Sequence, residues 1–141
     1  MISKWWQNRW SWQQELSGPK FSLGAQRDFE TAFFERVVRR QSDYWEVLAV
    51  LGNHYTAAKR YQDGLAVDER LAILRPRDAV VYYNLACSYS LLGRLNLSIA
   101  ALEKALELGY RDFQHMVRDR DLDTVRKDRR FRELITRYAR V

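Results

Sequence analysis

Two histidines, one cysteine and a run of alternating aspartates are the side chains with which this chain could do chemistry. His54 and His115 stand 61 residues apart, and neither has a cysteine or paired carboxylate at metal-ligand spacing. Asp119, Asp121 and Asp123 follow the opening spacing of a calcium loop, but the glycine and closing glutamate of such a loop are missing. Cys87 has no histidine near it in sequence, so a small buried thiol is expected rather than a nucleophile. No glycine-rich phosphate loop is present. These residues predict no enzyme, no metal and no cofactor, which leaves binding as the function to look for.

The elements that would position a binding surface follow from an internal repeat. Residues 45–78 set against 79–112 are identical at nine positions: Val47/Val81, Leu51/Leu85, Tyr55/Tyr89, Arg60/Arg94, Ala66/Ala100, Glu69/Glu103, Leu74/Leu108, Arg77/Arg111 and Asp78/Asp112. In the first copy Leu48, Leu51, Gly52 and Tyr55 fall three, four and seven residues apart, which puts them on one helical face. The second copy offers Tyr82, Leu85, Ala86 and Tyr89 at the same spacing. A second apolar stripe follows in each copy, with Leu65, Leu71 and Leu74, then Ile99, Leu102 and Leu106. The spacing predicts helices over 44–57, 60–74, 79–92 and 95–108. Pro76 must end a helix, Ser42 with Asp43 and then Asp78 can open the next ones, and Gly93 and Gly109 can close them in a left-handed conformation. Two short amphipathic helices cannot bury both faces alone, so each pair must stack on another.

The 34-residue period, the Leu48-x2-Leu51-Gly52-x2-Tyr55 start, Gly64 and Pro76 resemble the tetratricopeptide repeat, a helix-turn-helix unit. The closing stretch resembles the bacterial tetratricopeptide end-of-group segment through Gly109 to Phe113, then Asp119-x-Asp121-Leu122-Asp123, then Arg126-x-Asp128-x-Arg130-Phe131. In that stretch Asp121 and Asp128 can each cap a helix, and Phe131, Leu134, Ile135 and Tyr138 form an apolar stripe. The expected fold is an all-α, right-handed solenoid of antiparallel helix hairpins. Its expected parts are a half-repeat at 26–42, built on Phe29, Phe33 and Val37, complete repeats at 45–78 and 79–112, and a cap at 113–141.

The resemblance implies a non-catalytic scaffold that binds a peptide or helix of another protein in the concave groove lined by the first helix of each repeat. By register the candidates there are Glu46, Ala49, Asn53 and Thr56, then Val80, Tyr83, Asn84, Cys87 and Ser90, then Gln114 and Arg118. Asparagine amides can hold a peptide backbone and arginine suits a carboxylate. Some members grip the C-terminal carboxylate of heat-shock chaperones with two lysines, two asparagines and an arginine. Asn53, Asn84 and Arg118 match that set, while Ala49 and Gln114 stand where its lysines would be.

Four of the five tryptophans, Trp5, Trp6, Trp10 and Trp12, crowd the first sixteen residues, and Gly18-Pro19 with Lys20 to Ala25 reads as a linker. Residues 1–25 are thus expected to be an arm that caps the first repeat, makes a homodimer contact, or meets a membrane surface with Lys4 and Arg9 at the headgroups.

The charge of +6 does not lie on the repeats. Residues 26–44 and 45–76 each carry four basic and four acidic side chains, and 77–110 three of each, so the excess is +2 in 1–25 and +4 in 111–141. The alternating signs at the C-terminal end argue against a nucleic-acid stripe, though a basic adaptor for an anionic surface is the rival to the scaffold reading. No apolar run approaches the roughly 20 residues that span a bilayer. One cysteine and no apolar leader fit a reducing compartment, so a cytoplasmic, bacterial setting is expected.

Overall fold

Apolar residues at helical spacing, punctuated by aspartate caps and left-handed turns, decide where each element begins and ends. A computed structural model describes residues 23–140. Among them run α1 (Leu23–Arg40), α2 (Trp45–Ala57), α3 (Tyr61–Leu74), α4 (Ala79–Leu91), α5 (Leu95–Glu107), α6 (Phe113–Arg118), a 3₁₀ turn (Arg120–Leu122), α7 (Asp123–Arg126) and α8 (Arg129–Ala139), with no strand. This is an all-α chain of tetratricopeptide-like hairpins, α2 with α3 and α4 with α5. The tryptophans Trp5, Trp6, Trp10 and Trp12 lie outside the described residues.

The described residues divide into two units after Glu30, inside the continuous helix α1. In the first, Gln26 donates to Glu30 at 3.0 Å. From Leu23, the first described residue, the chain is already helical, so the last three residues of the expected linker belong to α1; Leu23 and Ala25 are strong helix formers and outweigh Gly24 between them.

In the second unit the 34-residue register becomes geometry. Tyr55 Oη donates to Glu35 Oε1 at 2.7 Å, and Tyr89 Oη donates to Glu69 Oε1 at 3.1 Å. Both partners shift by the same 34 residues. Likewise Phe34 meets His54 edge-on at 5.7 Å, and at the matching place Ser88 donates to Asp68 at 2.5 Å. Neighbouring hairpins therefore stack by one repeated contact rule. Glu103 continues the series, but no third hairpin follows, and Arg137 of α8 supplies its partner at 2.8 Å.

Helices α2, α4 and α5 end through the same C-terminal device. Arg60 and Lys59 donate backbone N–H groups to Tyr55 and Thr56, Arg94 and Gly93 donate to Tyr89 and Ser90, and Tyr110 and Gly109 donate to Ala105 and Leu106. The residue that makes the bend has positive φ in each case: Lys59 at 58°, Gly93 at 71° and Gly109 at 103°. Glycine was foreseen at two of these bends; a lysine turns the chain at the third.

Capping departs from expectation in two places. Asp78 caps α4, accepting from Val80 and Val81 N–H at 3.0 and 3.4 Å, and Asp128 caps α8, accepting from Arg130 N–H at 2.9 Å. Neither Ser42 nor Asp43 caps α2, whose cap position is Tyr44 with no side-chain bond. Asp121 caps nothing either: Asp119 takes that role, accepting from Asp121 N–H at 3.0 Å, because Asp121 lies inside a tight 3₁₀ turn that starts at Arg120.

Two apolar clusters result. One joins Leu48, Leu51, Tyr55, Val67, Leu71 and Val81, with Phe34 and Val38 of α1 against it. The other holds Leu65, Leu85, Leu102 and Leu106 of the hairpins with Met116, Leu122, Val125, Phe131 and Leu134 of the C-terminal segment. Met116, Leu122 and Val125 are fully enclosed, so the segment from α6 to α8 is a packed lid on the second hairpin.

Candidate interaction groove

The predicted groove residues come from α2, α4 and α6, and the structure treats them unequally. Asn53 is exposed on α2, Gln114 and Arg118 are exposed on α6, and Asn84 is half-buried on α4. Thr56 turns back onto its own hairpin, its hydroxyl donating to the Gly52 carbonyl at 3.1 Å and lying over Gly64 of α3. Of the further register positions, Glu46 is exposed and Ala49 and Val80 are half-buried, whereas Ser90 is fully enclosed.

Tyr83 and Cys87 are buried, because the lid lies on the face of α4 that carries them. Asp119 is the centre of that contact: its Oδ2 accepts from Tyr83 Oη at 2.6 Å and from Cys87 Sγ at 3.8 Å, and lies 3.1 Å from His115 Nε2. The Tyr83 ring stacks on Tyr110 with centroids 4.4 Å apart and planes 3° from parallel. Arg126 fixes the backbone beneath, donating to the carbonyls of Val117 and Asp119 and to the Asp123 carboxylate.

Burial dominates the acid–base character of this hub. It pushes the Tyr83 hydroxyl far up, with Cys87 and the Asp119 carboxylate adding to the effect. Burial likewise raises the Cys87 thiol, helped by Asp119 and Asp121. The Asp121 carboxyl is raised by burial and by Asp119 beside it. Among the described residues, Cys87, Asp119 and Asp121 could hold a metal ion, with one ligand atom from each within 4.8 Å of the others. A thiol held in its protonated form, hydrogen-bonded to a carboxylate that also serves a tyrosine, is better suited to closing a lid than to nucleophilic attack.

The enclosure of Tyr83 and Cys87 had a signal in the sequence. In register they correspond to Ala49 and Asn53, so the second copy carries a larger and less polar line than the first. The partnership of Asp119 with Tyr83 spans 36 residues and had no local signature.

Comparison with known proteins agrees with the hairpin geometry. Residues 79–108 match the tetratricopeptide repeat family model. A chloroplastic protein of Arabidopsis thaliana is 32% identical over 107 residues, covering 74% of this chain and 30% of that protein. The chain thus spans about three tenths of that relative's length. No solved structure matches the chain significantly.

Proposed function

We propose, given a tetratricopeptide repeat at residues 79–108, that this protein is a non-catalytic scaffold whose groove binds a segment of another protein. Tetratricopeptide repeats generally mediate protein–protein contact, and no helix among the described residues is long and apolar enough to cross a membrane. The reading adds that the working surface is the polar line of Asn53, Asn84, Gln114 and Arg118. The segment from α6 to α8 is its closing unit, of the end-of-group kind, and the reducing conditions of the cytoplasm suit the single thiol.

One observation supports this reading: Asn53, Gln114 and Arg118 are exposed and Asn84 is half-buried, while Tyr83 and Cys87 of α4 are covered by the lid. Asn53 and Asn84 can each donate to and accept from an extended backbone, and Arg118 can hold a carboxylate in a two-pronged bond. With Ala49 and Gln114 in place of lysines, a terminal carboxylate meets one cation rather than three, so an internal peptide or helix fits better than a chain end.

Affinity capture from the native host, quantified by mass spectrometry, tests it with wild type and Asn53→Ala/Asn84→Ala/Arg118→Ala side by side. Loss of the main partners from the triple variant is expected. Retention of the same partners would remove the groove from consideration.

A further inference from the structure

The second hairpin's lid ends in α8, whose two faces are unlike. Phe131, Leu134, Ile135 and Tyr138 pack on the core. The opposite face carries Arg129, Arg132, Glu133, Thr136 and Arg137, with Arg140 at the C-cap, at spacings of three and four residues over about three turns. These six side chains line an open depression of about 630 Å³. Four cations and one carboxylate give it a net charge of +3, in a chain whose repeats are neutral.

The cations differ in how they are occupied. Arg129 pairs with Glu133 at 2.9 Å, and Arg137 with Glu103 at 2.8 Å. Arg132 and Arg140 have no carboxylate within ion-pair distance among the described residues. Both guanidinium groups are on exposed residues, eight positions or about 12 Å apart along the helix. The face already holds one carboxylate from outside α8, that of Glu103 on Arg137, which is the chemistry it suits.

We propose that the outer face of α8 is a second docking surface, independent of the concave groove, and that it takes an acidic helical segment of a partner protein through Arg132 and Arg140. Glutamates two turns apart on such a helix would match the spacing of these two exposed arginines. Glu133, in the middle of the face, would repel a continuous run of phosphates, and no aromatic side chain stands there to stack a base. The apolar residues of α8 point into the core, so nothing on this face can enter the hydrocarbon of a bilayer.

The test is fluorescence anisotropy with the full-length protein and a labelled helical peptide carrying paired glutamates one and two turns apart, in about 150 mM salt. Binding is expected, and Arg132→Glu/Arg140→Glu should weaken it on the order of tenfold or more. Arg132→Lys/Arg140→Lys should lose less, and thermal melting should show both variants folded, since neither side chain touches the core. Asn53→Ala/Asn84→Ala should leave this affinity unchanged, so failure of the groove reading and failure of this one are separable. The proposal falls if the peptide is not bound, or if charge reversal leaves its affinity as it was. It also falls if duplex DNA or phosphatidylglycerol vesicles bind through Arg132 and Arg140 as tightly as the peptide does.

Discussion

The two hairpins share a register but not a degree of enclosure. In the first, α2 buries one stripe, Leu48, Leu51, Gly52 and Tyr55. In the second, α4 buries seven of its thirteen residues, including Tyr83, Cys87 and Ser90 on what is an open side in the first. The difference comes from the neighbours. α2 has α3 behind it and only the edge of α1 before it, whereas α4 lies between α3, α5 and the lid. Burial in a stacked fold is set as much by what the next segment lays down as by a repeat's own pattern.

The largest expected effect tests the lid against the opposite end. Phe131 is 2% exposed and belongs to the second cluster, so Phe131→Ala should cost about 3–5 kcal/mol in urea unfolding. Phe34 is half-buried at the edge of the first cluster, and Phe34→Ala should cost about half as much. Equal losses would mean that the two ends are closed equally well, and the contrast between hairpins would fail.

A second difference sits at the junction between the hairpins. Asp68 is buried where the matching positions hold Phe34 and Leu102. Burial pushes its carboxyl up from 3.8 to about 6, against the pull of the Ser88 hydroxyl, which lowers it. A carboxyl with a raised folded value binds its proton more tightly when folded, so the protein loses stability as pH climbs from about 4 to about 6 and no more beyond. The two-unit rise corresponds to about 2–3 kcal/mol. Asp68→Asn cannot ionise, so its stability relative to wild type should improve by about that amount from pH 4 to pH 7. Unfolding at several pH values checks this, and a constant difference would show that the Asp68 carboxyl titrates alike in the folded and unfolded chain, so that burial does not raise it.

Capping separates the hairpins more gently. Asp78 satisfies two amides at the start of α4, while α2 starts without a side-chain cap. Asp78→Ala should cost about 1 kcal/mol, and Tyr44→Ala should stay within about 0.5 kcal/mol. Thermal melts of the two variants give the comparison directly.

The parts of this fold governed by short-range rules could be read from sequence. Leu48, Leu51, Gly52 and Tyr55 share a face whatever lies beyond them, and Pro76 must end α3 wherever the chain goes next. The helix ends came within a residue or two for that reason, α1 excepted, where Leu23 and Ala25 extended the helix into the expected linker. The candidate groove was less legible. Register placed Tyr83 and Cys87 on the concave line, but whether that line is open depends on Asp119 and Arg126, more than thirty residues away. A side chain that meets its partner only after two intervening helices leaves no periodic trace.

The smallest expected effect is also the cleanest, because it lies at one register position. Lys59 and Gly93 make the same bend, at φ 58° and 71°, and an added Cβ at Gly93 would meet nothing within 4 Å. Crowding is therefore absent, and only the backbone preference counts. The left-handed conformation costs an L-residue about 1–2 kcal/mol, while glycine loses roughly 0.5–1 kcal/mol more backbone entropy on folding. Lys59→Gly should thus stabilise by about 0.5 kcal/mol and Gly93→Lys should destabilise by a similar amount. The bends lie in different hairpins and share no partner, so the exchanged double variant should return close to wild type, within about 0.5 kcal/mol. If Lys59→Gly instead destabilises the protein in urea unfolding, the lysine does something at that bend beyond turning the chain, and the two turns are not equivalent.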